Sequence, residues 1–128
     1  MQIFLDTNFL MALGQMPSFN LSYELDRVIP RKKELIVLDP IFSELEKLHL
    51  EGTPKERQIS RVAIEFVHKY CKQWPSEYHH RNIDFILLYY GKERSGIIAT
   101  NDRKLKSMAR KKGIKSLYIR NQRFLELQ

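Results

Sequence analysis

Apolar residues along this chain fall into short unbroken runs and into longer stretches spaced by three and four, the signatures of buried strands and amphipathic helices. Residues 2–5 read as a buried strand, and Thr7 to Leu13 as a short helix that Gly14 terminates. Asn20 opens a second helical stretch in which Leu21, Leu25 and Val28 share a face until Pro30. Leu35 to Leu38 is a strand of branched apolar residues. Asp39-Pro40 then starts a third helix, with Asp39 as its cap and Pro40 in the tolerant first position, running to about Leu50 and stopping at Gly52.

Thr53-Pro54 starts the longest helix, in which Ile59, Val62, Ala63, Phe66, Val67, Tyr70, Cys71 and Trp74 form one stripe that Pro75 ends. A loop through His79 and His80 leads to an apolar helix from about Asn82 to Tyr90. Ile97 to Ala99 is the next strand, Asp102 to Lys112 a helix ended by Gly113, and Ser116 to Ile119 a last strand. Strands alternate with helices and no β-hairpin signal appears, which predicts an α/β fold: a three-layer α/β/α sandwich around a mainly parallel sheet.

A chain of 128 residues suits one domain over 1–128. No run reaches the roughly eighteen apolar residues of a membrane span, and no basic stretch leads into a long apolar segment as in a signal peptide. The expectation is a cytoplasmic protein with no membrane partner. Cys71 is the sole cysteine, which excludes an internal disulfide and a cysteine-rich zinc cluster and fits a reducing compartment. A formal charge of +7 favours a polyanionic partner, nucleic acid first.

The chemistry concentrates in acids. Asp6 follows Ile3-Phe4-Leu5, and Asp102 follows Ile97-Ile98-Ala99-Thr100-Asn101; in a parallel sheet, acids leaving distant strands can meet in one crevice. Each can equally cap the helix it precedes. Asp84 sits within Ile83-Asp84-Phe85-Ile86-Leu87-Leu88, where a lone buried carboxylate would be costly unless partnered, metal-bound or eased by the helix dipole. Glu44 falls beside Leu48 at the edge of the Ile41, Leu45, Leu48 stripe, and reads either as a cleft residue or as an ordinary surface glutamate. Clustered carboxylates repel unless a cation lies between them, and hard oxygen ligands select Mg²⁺ or Mn²⁺.

The ordered set Leu5-Asp6-Thr7-Asn8-Phe9-Leu10, Ser43-Glu44-Leu45-Glu46-Lys47-Leu48, Asp84 in an apolar helix and Ala99-Thr100-Asn101-Asp102-Arg103-Lys104-Leu105 resembles the PIN-domain ribonucleases over nearly the whole chain. It is similar to ribosomal-RNA-processing PIN proteins of archaea and eukaryotes and, by size, to VapC-type toxins. The resemblance implies a catalytic metal site at Asp6, Glu44, Asp84 and Asp102, with Thr7, Asn8, Thr100 and Asn101 as polar support. It further implies RNA phosphodiester hydrolysis with one or two Mg²⁺ or Mn²⁺ ions, giving a 5′-phosphate and a 3′-hydroxyl. The partners it implies are RNA, an antitoxin or a ribosome-assembly protein, and a second copy of the chain. Many members carry another acid two residues after the position of Asp102, where this chain has Lys104, which bears on the second ion.

Beyond the acids, Arg103, Lys104, Lys106, Arg110 and Lys111 fall opposite Leu105, Met108 and Ala109, either as an RNA-binding surface or as a solvated face. Arg27, Arg31, Lys32 and Lys33 form a second basic cluster near a helix end. His49, His68, His79 and His80 lack a ligand spacing. Tyr78, Tyr89 and Tyr90 read as core or rim aromatics or as base-stacking platforms, and Cys71 as a buried thiol. Two other classes stay open: a PIN-like module that binds RNA or protein with weak or no cleavage, and a receiver-type switch phosphorylated at Asp39.

Overall fold

A computed structural model describes residues 1–76 and 82–128. Strand β1 (Gln2–Leu5) lies centrally, because Ile3, Phe4 and Leu5 are apolar on both faces and only burial between two helical layers satisfies both. Helices α1 (Thr7–Gln15) and α2 (Leu21–Val28) lead to β2 (Glu34–Leu38), and α3 (Asp39–Glu51) and α4 (Pro54–Tyr70) lead to β3 (Lys72–Trp74). The chain then returns across the sheet through α5 (Ile83–Glu93) to β4 (Ile97–Ala99), and α6 (Arg103–Lys111) connects to β5 (Lys115–Arg120) and β6 (Phe124–Leu127).

The strand order is β3-β2-β1-β4-β5-β6, parallel throughout except for β6. Helices α1, α3 and α4 pack together in one layer, and α5 and α6 in the other, α5 against β1 and β4 and α6 against β5. This is the expected three-layer sandwich. Because the first crossovers run one way from β1 and the later ones the other way, the connections diverge between the carboxyl ends of β1 and β4. Such a switch point opens a crevice.

Several local expectations are corrected. Gly14 does not end α1: it lies inside the helix, where a Cβ would sit 2.7 Å from the Ile59 carbonyl oxygen, so its missing side chain lets α1 approach α4. Asp39 is the first residue of α3 and not its cap, a place taken by Leu38 without a side-chain bond. The long apolar stripe does not continue to Trp74, since α4 stops at Tyr70 and Cys71 turns extended at φ −117°, ψ 151°. Lys72–Trp74 instead pairs with Ile36–Leu38, and the Trp74 ring meets the edge of Phe4 across the sheet. Tyr70 is accordingly 59% exposed. Cys71 is half-buried, and burial pushes its thiol up to about 12.

A hairpin also forms where none was expected. Asn121 and Gln122 both adopt positive φ, 54° and 55°, building a mirror-image turn between β5 and β6. Asn with Gln lacks the glycine by which such turns are recognised. Edge strand β6 is covered by a side-chain pair. Ser116 and Gln128 exchange both backbone hydrogen bonds, so by alternation Leu125 turns its N–H and C=O away from β5. Glu24 accepts the Leu125 N–H at 2.8 Å while Arg27 donates to its carbonyl at 2.6 Å, and the two side chains are themselves ion-paired. The Arg27 contact holds the Glu24 carboxyl below its usual range. Nothing is left on that residue for another strand to bind.

Gly14 gives a test whose sign is not the usual one. Replacing glycine by alanine inside a helix ordinarily gains about 1 kcal/mol. Here the added methyl would meet backbone, and overpacking of that kind costs about 1–3 kcal/mol. Gly14→Ala is expected to lower the stability measured by urea denaturation by about 1–2 kcal/mol; an increase would show that α1 and α4 do not approach so closely.

Candidate functional site

Strands β1 and β4 are neighbours in register, Leu5 beside Ala99, so the residues that follow them emerge side by side. Asp6 continues the ladder by donating its N–H to the Ala99 carbonyl at 2.9 Å before the chain turns into α1. Its carboxylate does two things at once. Oδ1 caps α1 by accepting the Thr7 N–H at 2.8 Å, and Oδ2 accepts the Thr100 hydroxyl at 2.7 Å. Thr100 is fully buried and also accepts the Asp102 N–H at 3.1 Å. A single hydroxyl therefore ties the two acids that leave β1 and β4.

Asp102 caps α6, accepting the N–H groups of Lys104 at 2.8 Å and Leu105 at 3.1 Å through Oδ1. The capping and cleft roles considered for Asp6 and Asp102 are thus compatible. Asn8 accepts the Asn101 N–H at 3.0 Å, stitching α1 to the same loop. Asn101 has a structural part that its place in a turn did not suggest. Strand β5 outruns β4, and the Asn101 side-chain amide takes the missing peptide's place, donating to the Ile119 carbonyl at 3.3 Å and accepting its N–H at 3.0 Å.

The other acids come from helices. Glu44, exposed on α3, accepts the Thr7 hydroxyl, which turns it toward Asp6. Asp84 occupies the first turn of α5, half-buried, and accepts no hydrogen bond among the described residues. Asp6, Glu44, Asp84 and Asp102 line one cleft of about 660 Å³, together with Thr7, Asn8, Asn101 and Gln15. Glu56, which the sequence reading passed over, joins that wall. It is held there by a reciprocal capping box with Thr53 at the start of α4, a pattern visible in Thr53-x-x-Glu56.

Crowding marks the electrostatics. Burial pushes the Asp6 carboxyl above its usual range, with the nearby charges of Asp84 and Glu44 adding to the rise, while the Thr100 and Thr7 hydrogen bonds oppose it. Burial also raises Asp84, with Asp102 adding and Lys104 opposing. The donors facing the cleft are carboxylate, hydroxyl and amide oxygens, the set that suits a hard divalent cation. Among the described residues no three acidic, histidine or cysteine side chains converge on one point, so an ion held here would draw its remaining ligands from water and phosphate oxygens.

Other candidates sit elsewhere. A larger hollow of about 900 Å³ between the 17–20 loop, α2 and the end of α4 contains none of these four acids; its charged side chains Lys33, Glu34 and Lys72 are ion-paired, to Asp26 and to each other. On α6, Leu105 and Ala109 are buried while Arg103, Lys104, Arg110 and Lys111 are exposed, and Lys106 lies 3.6 Å over the Tyr118 ring. None of these cations has an acidic partner within 4.0 Å among the described residues. The second basic cluster is partly spent, with Arg27 on Glu24 and Lys33 on Asp26. His49 faces the Arg57 carbonyl and His68 stacks on Phe42, whereas Tyr78, His79 and His80 lie outside the described residues. Tyr90 is buried against Phe4.

Comparison with known proteins agrees with this geometry. The model of a PIN like domain matches residues 3–122. The chain is 32% identical over 127 residues to Ribonuclease VapC4 of Methanocaldococcus jannaschii, covering 95% of this chain and 92% of that protein. The structure of the PIN domain endonuclease Utp24 matches with a TM-score of 0.77 at 25% identity, over 99% of this chain and 90% of that one. A domain of a functionally unknown protein from Methanocaldococcus jannaschii shares the fold, with a TM-score of 0.62 at 19% identity over 93% of this chain and 91% of that one. The named relatives, one a ribonuclease and one an endonuclease, support nuclease activity. With nearly all of its length matched, the chain belongs to the PIN-like domain family.

Proposed function

We propose that this protein is a divalent-metal-dependent endoribonuclease whose centre is Asp6, Glu44, Asp84 and Asp102. The observation that carries the reading is that these acids, drawn from the ends of β1 and β4 and from two helices, line one cleft in which burial and mutual repulsion raise two of their carboxyls. Like charges placed together at the end of a buried sheet repel one another unless a cation is taken up between them.

In this reading Asp6 and Asp102 are the most direct ligands of Mg²⁺ or Mn²⁺, and Asp84 and Glu44 hold a further ion or its water. When bound, the metal supplies charge neutralisation and makes water a competent nucleophile near neutral pH. The chain's own part is orientation. Thr100 fixes the Asp6 carboxylate, Thr7 holds Glu44 on the opposite wall, and Asn8 with Asn101 sets the loop that carries Asp102. A water oxygen forms the new bond to phosphorus as the bond from phosphorus to the 3′-oxygen breaks; one proton leaves the water and one reaches the departing oxygen, leaving a 5′-phosphate and a 3′-hydroxyl. Among the described residues no histidine lines the cleft.

Arg103, Lys104, Lys106, Arg110 and Lys111 provide the phosphate-tracking surface, since Asp102 caps α6 and the helix's cations have no ion-pair partners among the described residues. RNA as substrate is supported by the likeness to Ribonuclease VapC4. A toxin role, with an antitoxin as partner, and an RNA-maturation role, with a ribosome-assembly partner, would use the same acids in a cytoplasmic protein. Asp39, on which a receiver-type switch would turn, stands outside this cleft.

Asp6→Asn is expected to reduce Mn²⁺-dependent cleavage of single-stranded RNA by at least about a hundredfold, as EDTA does for the parent protein. Full-rate cleavage by the variant would remove Asp6 from the centre, and binding of RNA with no cleavage by the parent under any metal would leave a binding module instead. The raised carboxyls also fix the sign of a pH effect. A carboxyl that holds its proton more tightly folded than unfolded loses stability as pH rises from the ordinary aspartate range through its raised folded value. Metal-free parent protein should lose thermal stability across that window relative to Asp6→Asn, and the two melting curves should draw together below it. Parallel pH profiles would contradict the repulsive cluster.

A further inference from the structure

The cleft extends well beyond its four acids. Asn8, Met11, Ala12 and Gln15 all line it from α1, and their spacing of three and four puts them on one face of that helix. Asp6 caps the start of α1, so this face leads away from the acids and reaches Gln15 about 13 Å further on by helical rise. Helix α3 runs out in the same way: Glu44, bonded to Thr7, is followed one turn later by Leu48, whose carbonyl accepts the Gly52 N–H beside the start of α4. Beyond the acids, then, lies an apolar shelf of Met11, Ala12 and Leu48, each partly buried, and at its far end stand Gln15 and Glu56.

That end of the cleft suits a base and not a phosphate. No lysine, arginine or histidine lines the cleft among the described residues, so a phosphate on the shelf would find no counter-charge and would face the Glu56 carboxylate. A flat heteroaromatic ring fits an apolar surface edged by a few fixed polar groups. Glu56 is such a group. Its Oε1 accepts the Thr53 N–H at 2.9 Å, and a Cβ on Gly52 would lie 3.2 Å from that oxygen, so the bare turn lets the carboxylate settle against it. Oε2 accepts no hydrogen bond among the described residues. One held acceptor therefore remains for a ligand.

We propose that this shelf binds the base of a nucleotide flanking the cut, and that Glu56 selects a base bearing an exocyclic amino group, adenine, cytosine or guanine, over uracil. The inference rests on the nuclease reading above and adds the substrate feature it selects. An amino N–H of any of the three can donate to Oε2, as carboxylates accept from the cytosine amino group in nucleic-acid recognition. Uracil carries its one ring N–H between two carbonyls, so bringing it to Oε2 sets a carbonyl oxygen against the carboxylate. The Gln15 amide, exposed at the same end, both donates and accepts and so serves any of the three chosen bases. A hydrogen bond to a charged group supports discrimination of about tenfold or more.

The test is to cleave a pool of single-stranded RNA of random sequence with the full chain and Mn²⁺, then sequence the fragment ends. Uracil is expected to be depleted about tenfold at one of the two positions flanking the cut. Glu56→Gln keeps the capping box, because its amide oxygen can still take the Thr53 N–H, and circular dichroism checks the fold. It leaves an amide N–H₂ where the free acceptor stood, so the depletion of uracil should vanish or reverse. The readout is a ratio within one reaction, which a merely structural defect, slowing all sites alike, would not move. Cutting by the parent with no bias against uracil at either position, or the same bias in Glu56→Gln, would overturn the proposal while leaving the nuclease reading in place. A parent that cuts no RNA with any metal, or an Asp6→Asn variant that cuts as the parent does, would instead remove the nuclease reading and the proposal with it.

Discussion

Everything at the cleft depends on the buried Thr100 hydroxyl between Asp6 and Asp102. It donates to the Asp6 carboxylate and accepts the Asp102 N–H, so one oxygen sets the spacing of two acids that are far apart in the chain. The constraint works only because β1 and β4 are adjacent and in register, with both faces covered by helices. A parallel sheet of this kind must send its connections in opposite directions somewhere, and the crevice appears where it does. The helices then bring their termini to the same end, and with them Asp84 and the Thr7 contact to Glu44.

The same hydrogen bonds explain why a repulsive cluster can persist in a folded chain. Each carboxylate has either a backbone donor or a hydroxyl, except Asp84, which has the helix dipole and the charge of Lys104. Instability is confined to a few atoms at one end of the sheet, while stability comes from the β1, β2 and β4 core and from the capped backbone of Leu125 on edge strand β6. Glu24 and Arg27 show the same economy at the far edge, where one ion pair satisfies both outward backbone groups of Leu125.

Much of this was legible in the amino-acid pattern, and the failures have physical causes. Acids at or just after the ends of apolar runs pointed to Asp6 and Asp102, because a charge seldom sits inside a buried strand unless it is partnered. The three-residue strand Lys72–Trp74 was hidden since Tyr70, Cys71 and Trp74 happen to continue a helical spacing, and a strand that short has no periodicity of its own. The final hairpin was missed for want of glycine, its turn being made by Asn121 and Gln122 at positive φ. Gly14 looked like a helix stop, but its role is set by Ile59, a contact that no local pattern reveals. The Asn101 amide mimics a peptide for Ile119, which depends on β5 being longer than β4 and so only on the assembled sheet.

The central claim is electrostatic: Asp6 is buried among like charges and relieved by a cation. Carbon-13 NMR titration of the Asp6 carboxyl in metal-free protein addresses it most directly. The carboxyl should titrate above the ordinary aspartate range and move down when Mg²⁺ is added. An Asp6 carboxyl that titrates like a solvent-exposed aspartate, or that ignores Mg²⁺, would contradict it.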